Sequence, residues 1–170
     1  LDSLVKGGVV SMDSTLGELI GAKHKLHESA RPVTLRQLVT HTSGFPRVPQ
    51  MLFDLTVEHF GEGNVQENPY SILKFKDVAK YLKNCEGKKE PGEFDYSNFG
   101  SGLLGHVLEI VTGKDLDTLA KERLFTPLGM NATSIKLDAA MEETMVQGYT
   151  RESETAGLWT FGALAGVGGF

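Results

Sequence analysis

Residues 99–111 constrain the chain more than any other stretch. Phe99, Leu103, Leu104, Val107, Leu108 and Val111 recur at three- and four-residue intervals, the period of one helix face. Asn98 precedes the run as an N-cap and Thr112-Gly113 closes it. Inside stand Gly100, Gly102 and Gly105, each costing about 1 kcal/mol against Ala in a helix interior. A helix that keeps such residues uses their missing volume, so the pattern predicts a second backbone packed close against this face. The chain has 170 residues, 40% of them hydrophobic, and a domain of that size buries about 70% of its unfolded surface. It needs neither metal nor disulfide to make a core, and Cys85, the single cysteine, permits no internal disulfide.

Around that helix the signals are shorter. Leu1 to Val10 reads as the tail of a helix stopped by Gly7-Gly8, and Met12 to Arg31 as weakly patterned chain with turns near Asp13, Gly17 and Gly21. Thr34-Leu35-Arg36-Gln37 matches a capping box that opens a short helix with Leu35, Leu38 and Val39 on its apolar face. From Phe45 to Tyr70 the pattern predicts a long loop excursion. A helix is expected over Ile72–Leu82, and another over Asp115–Leu124. Gly157, Gly162, Gly166, Gly168 and Gly169 crowd the last stretch beside Trp159 and Phe161, which reads as strand and tight turn, or as a segment lying against something.

Charge and hydropathy exclude several partner classes. The formal net charge is −5, and the densest basic stretch, Lys74 to Lys89, is interrupted by Asp77 and Glu86. No electrostatic footprint for nucleic acid results. No run approaches the roughly 18 apolar residues that a membrane span requires.

Four groups of residues could carry chemistry. His24 and His27, followed by Glu28, share a helical spacing, but a zinc site needs three or four ligands and nothing nearby completes the set. His41 and Ser43 follow the capped helix, where an imidazole can cap free carbonyls or assist a hydroxyl, and Ser43 lacks the preceding glycine of a nucleophile elbow. Ser3-Leu4-Val5-Lys6 and Ser71-Ile72-Leu73-Lys74 match Ser-x-x-Lys, the spacing that lets an amine take a serine proton. About one such match arises by chance in a chain with this much Ser and Lys, so both read as decoys. Tyr96-Ser97-Asn98 leads directly into the strongest helix. It is either a core tyrosine with a capping asparagine, or a phenol and an amide aimed at the positive end of a helix dipole, suited to a proton relay or an oxyanion.

The order of pieces supplies more than any one of them. Val33-Thr34-Leu35-Arg36-Gln37-Leu38-Val39-Thr40-His41-Thr42-Ser43-Gly44-Phe45-Pro46, then Pro91-Gly92-Glu93-Phe94-Asp95-Tyr96-Ser97-Asn98-Phe99-Gly100, then Leu124-Phe125-Thr126-Pro127-Leu128-Gly129-Met130 closely resembles the serine β-lactamase-like family. That family includes class C β-lactamases, D-alanyl-D-alanine carboxypeptidases and related esterases. Tyr96 and Asn98 match its Tyr-x-Asn motif. By the same resemblance, Leu4 to Asp13 looks like the stretch that ends the nucleophile helix, so the catalytic Ser-x-x-Lys is expected before residue 1. The Lys-Thr-Gly or His-x-Gly motif is expected beyond Phe170, with Ala165 to Gly169 resembling the glycine-rich segment before it.

The resemblance implies an α+β fold of the β-lactamase/transpeptidase type. Residues 1–170 would be a single partial domain, mainly its helical middle portion, with the central antiparallel sheet largely missing. It implies acyl transfer through a serine ester, without metal or organic cofactor, on a β-lactam, a D-amino-acid peptide or a small ester. Tyr96 would share a proton with the serine and the lysine, and Asn98 would hold the lysine and a substrate amide. A free tyrosine titrates near pH 10, so the role calls for an ammonium close by. Two alternatives stay open: a relative that has lost catalysis and serves as a scaffold or binding module, and an unrelated helical domain with Tyr96 and Asn98 buried away from any cleft.

Overall fold

The computed structural model describes residues 1–62 and 68–169. Short helices dominate: α1 Asp2–Lys6, α2 Leu16–Ile20, α3 Leu35–Val39, α4 Gln50–Phe60, α5 Phe75–Asn84, α6 Asn98–Thr112, α7 Leu116–Ala120 and α8 Ala139–Thr144. The strands β1 Gly148–Tyr149 and β2 Thr155–Ala156 pair antiparallel, and a 3-10 segment covers Gly162–Val167.

The expected stripe helix is α6, and the core is built on it. Phe99, Leu103, Val107 and Leu108 are buried along its length, facing Leu16 and Ile20 of α2 and Leu35 and Leu38 of α3. Its glycines do what their cost implied. A methyl group on Gly102 would stand 2.6 Å from the Leu164 Cβ, and one on Gly105 would stand 3.1 Å from the Gly166 Cα. The close backbone is therefore the 3-10 segment. Gly113, with φ +69°, ends the helix in the left-handed region that glycine favours.

Capping fixes where the small helices begin. Thr34 Oγ1 accepts from the Gln37 N–H and Gln37 Oε1 accepts from the Thr34 N–H, closing the expected box at α3. Thr15 and Glu18 make the same reciprocal pair at α2, in a stretch that reads from sequence as turns. An antiparallel bridge between Thr15 and Thr34 sets the two helix starts side by side.

Several expectations change. The 45–70 excursion contains the eleven-residue α4; Leu52 is its one fully buried side chain, so its apolar periodicity is faint. Residues 63–67 of that excursion lie outside the described residues. The helix expected from Ile72 starts at Phe75, where Asp77 accepts from the Lys74 N–H and caps it. Over 115–124, Asp115 caps α7, and Lys121–Phe125 continues as a π-helical turn. Of the two readings of the glycine-rich end, a segment lying against something is the one observed: Gly162–Val167 is a 3-10 turn packed on α6, and Gly162, at φ +48°, sits close under the Tyr70 and Leu73 carbonyls. Among the described residues no helix is long and apolar enough to cross a membrane.

Candidate active site

The chain leaves α3 through a loop, residues 41–47, that pairs with residues 89–99 rung by rung. The Lys89 N–H donates to the Gly44 carbonyl at 2.8 Å, Gly92 to Thr42 at 2.9 Å, Asp95 to His41 at 2.8 Å and Phe99 to Arg47 at 3.2 Å. Gly44 permits the approach: its φ is +75°, and a side chain there would run into the Lys89 carbonyl. Phe45 anchors the loop beneath, with its ring centroid 5.3 Å from that of Phe99.

Ser97 joins this ladder to α6. Its side chain is buried, donates to the Pro46 carbonyl at 2.8 Å and accepts from the Gly100 N–H at 2.8 Å. Ser97 is thus the N-cap of α6, and Asn98, expected in that role, is the first residue of the helix. The correction follows from reach: Ser97 Oγ meets the N–H three residues ahead, as a capping hydroxyl does.

Tyr96 and Asn98 flank the cap, and their surroundings differ. Tyr96 is 46% exposed, so the core-tyrosine reading does not hold. The buried tyrosines of this region are Tyr70 and Tyr81, 6% and 5% exposed; the Tyr81 hydroxyl donates to the Glu86 carbonyl at 3.0 Å, and burial above all pushes its pKa up. The Tyr96 ring lies 4.4 Å from the His41 ring, and the Arg47 guanidinium is 5.5 Å from its centroid. That distance suits a cation–π contact. Asn98 is half-buried and donates from Nδ2 to the Tyr70 hydroxyl at 3.0 Å. Tyr70 belongs to a turn stitched to the chain's end: Asn68 Nδ2 donates to the Thr160 carbonyl at 2.6 Å, and the Ala163 N–H to the Leu73 carbonyl at 3.1 Å.

The sequence singles out neither Tyr70 nor Arg47. Each meets the site through a loop far away in sequence, and no local pattern carries that. Ser97 had a signal, since serine is a good cap and Gly100 stands three residues on.

The other candidates disperse. Lys6 pairs with Asp2 at 2.8 Å, and this hydrogen bond and charge raise its pKa, the opposite of what an amine base needs. Ser71 Oγ donates to the Asn68 carbonyl at 2.7 Å in the turn before α5, so Ser71 and Lys74 share no helix face. The His24 ring packs edge-on against Phe75 at 4.7 Å, and its pKa is lowered by burial, then by His106 and Lys23. His27 Nδ1 meets Ser29 Oγ at 2.9 Å, so the two histidines have separate partners. Among the described residues no group of three metal-ligating side chains comes together. His41 does not cap α3 with its ring; its Nδ1 accepts from the Ser97 N–H at 3.2 Å.

The chain as a whole is similar to known proteins. The family model described as Beta-lactamase matches residues 1–168, and the chain belongs to that family. It is 26% identical over 165 residues to Penicillin-binding protein 4 of Amycolatopsis lactamdurans, covering 92% of this chain and 39% of that protein. It is 29% identical over 138 residues to the D-alanyl-D-alanine-carboxypeptidase/endopeptidase AmpH of Escherichia coli K12, covering 79% and 32%. In fold it matches a β-lactamase/D-alanine carboxypeptidase structure from Yersinia pestis with a TM-score of 0.71 at 22% identity, over 96% of this chain and 43% of that one. The chain thus spans less than half the length of each. A likeness of this kind leaves no room for an unrelated helical domain.

Proposed function

We propose that residues 1–170 are a single partial domain, the helical portion of a β-lactamase-like serine hydrolase whose remaining sequence supplies the nucleophile and the central sheet. The reaction is acyl transfer. A serine hydroxyl attacks the carbonyl of a β-lactam, a D-amino-acid peptide or a small ester, the amine or alcohol leaves with a proton, and water then hydrolyses the serine ester. Tyr96 relays the proton, taking it from the serine and delivering it to the leaving group; Asn98 holds the lysine of the serine's helix and a substrate amide.

One observation carries this reading: the Tyr96 side chain stands in solvent while the backbone on both sides of it is hydrogen-bonded to the 41–47 loop. A relay has to be accessible and fixed at once, whereas a tyrosine serving only the core would be covered, as Tyr81 is. The Tyr70 contact on Asn98 fits the same purpose, since it occupies one amide donor and restricts how the side chain turns.

The test is covalent labelling of the full-length protein with a fluorophosphonate, followed by peptide mapping. Modification is expected at a serine outside residues 1–170, abolishing turnover of a cephalosporin, a D-alanyl-D-alanine peptide or a nitrophenyl ester. Residues 1–170 alone are expected to take no label. A label on Ser3 or Ser71 would refute the assignment of both as decoys.

A further inference from the structure

We propose that His41 is the positioning residue of Tyr96: its imidazole and its carbonyl together fix the backbone on either side of the phenol. The inference rests on the relay reading above. The residue before Tyr96 donates its N–H to the His41 carbonyl at 2.8 Å, and the residue after it donates its N–H to His41 Nδ1 at 3.2 Å. The tyrosine ring then lies against the imidazole, centroids 4.4 Å apart and planes 34° apart. One residue of the 41–47 loop thus makes three contacts on a three-residue segment, and they converge on the side chain proposed to move the proton.

Backbone conformation alone does not single out a histidine here. His41 has φ +56°, the left-handed region where glycine is favoured and where asparagine, aspartate and histidine are all enriched among the other residues. α3 is already closed by main-chain bonds, Thr40 N–H to the Arg36 carbonyl and His41 N–H to the Leu38 carbonyl. The side chain meets the Ser97 amide, the Tyr96 ring and, edge-on at 6.0 Å, the Phe94 ring of the same segment. An acceptor at Nδ1 places the ring proton on Nε2. Without it the Ser97 N–H, beside the buried cap, loses its partner, and Tyr96 keeps only one of its two backbone ties.

Substitutions at this site separate conformation from contact. His41→Gly keeps, and eases, the left-handed backbone while removing acceptor and ring. His41→Asn keeps the backbone and offers Oδ1 as acceptor in place of Nδ1. In the full-length protein His41→Gly is expected to lower kcat about 10- to 100-fold, the loss a small misplacement of a reacting group causes, with KM changed by less than about threefold. The Ser97 amide should exchange with solvent about tenfold faster, as loss of one hydrogen bond predicts. His41→Asn should recover most of kcat and of the Ser97 protection. On a Tyr96→Phe background, His41→Gly should cost nothing further, because the two act as one unit.

Wild-type kcat in His41→Gly, an unrecovered loss in His41→Asn, or an undiminished His41→Gly effect on the Tyr96→Phe background each overturns the proposal. If Tyr96→Phe loses turnover while His41→Gly keeps it, the positioning role falls and the relay stands. If Tyr96→Phe keeps full turnover, the relay is wrong, and the role of His41 in the reaction falls with it.

Discussion

The ladder between residues 41–47 and 89–99 and the chain beyond residue 125 are built on different principles. In the first, Ser43, Gly44, Phe45, Ser97 and Phe99 are all buried, and main-chain groups pair across some fifty residues of sequence. Between residues 126 and 160 only Ser134 is buried, while Leu128, Val146, Tyr149, Leu158 and Trp159 stand exposed. The middle of that stretch is anchored by one carboxylate: Asp117 accepts from Ser134 Oγ at 2.9 Å and from the Ile135 N–H at 2.7 Å, while its own helix supplies Lys121 Nζ at 2.7 Å; the far end is held at the Thr160 carbonyl by Asn68. A main-chain ladder is insensitive to most side-chain changes but fails where it needs a glycine. An anchor on one ionisable group answers to one substitution and to acid. The proposed site sits on the first kind.

The sharpest way to break the ladder is Gly44→Ala. The added methyl meets the Lys89 carbonyl at a positive φ, so left-handed strain and overpacking act together, costing about 3 kcal/mol. Thermal melting should fall accordingly, and an unchanged melting temperature would show that the two segments separate easily. Gly102→Ala is expected to cost less, about 1 to 2 kcal/mol: the collision with Leu164 is partly offset by the better helix propensity of alanine. Denaturant unfolding measures it, and a gain in stability would mean that the 3-10 segment gives way.

Asp117→Ala should move global melting least, because what it releases is local. Limited proteolysis should cut between residues 126 and 160 in the variant well before cutting the wild type. Acid should mimic the variant. Burial alone would raise the Asp117 carboxyl, but Lys121, the Ile135 N–H and the Ser134 hydroxyl outweigh it and hold its pKa below the ordinary range. A carboxyl depressed in the folded state stabilises fully above its ordinary value of about 4, and that contribution disappears as pH falls below it through the folded value. Protease sensitivity of this stretch should therefore rise below about pH 4, before the ladder opens.

Legibility follows the same division. The α6 stripe and its glycines announced a close backbone, and Gly166 and Leu164 provide it, because helix period and small-residue volume are both written locally. The Thr34–Gln37 box was equally plain. α4 was not, since Leu52 alone is fully buried on it and a helix lying half in solvent leaves little periodicity. Asparagine and serine cap equally well, so the sequence reads Asn98 as the α6 cap as readily as Ser97; the Pro46 and Gly100 contacts decide for Ser97. Tyr96 and Asn98 were visible as a motif. Their supports, His41, Arg47 and Tyr70, are joined to them through contacts between distant loops, which no local pattern encodes.

Tyr96→Phe in the full-length protein, with turnover and melting measured on the same preparation, tests the central claim most directly. The substitution keeps the ring against His41 and deletes only the hydroxyl of this half-exposed side chain. The relay predicts a catalytic rate lowered roughly 100- to 10,000-fold with stability changed by less than about 1 kcal/mol. A variant that melts lower yet turns over substrate at the wild-type rate would contradict it.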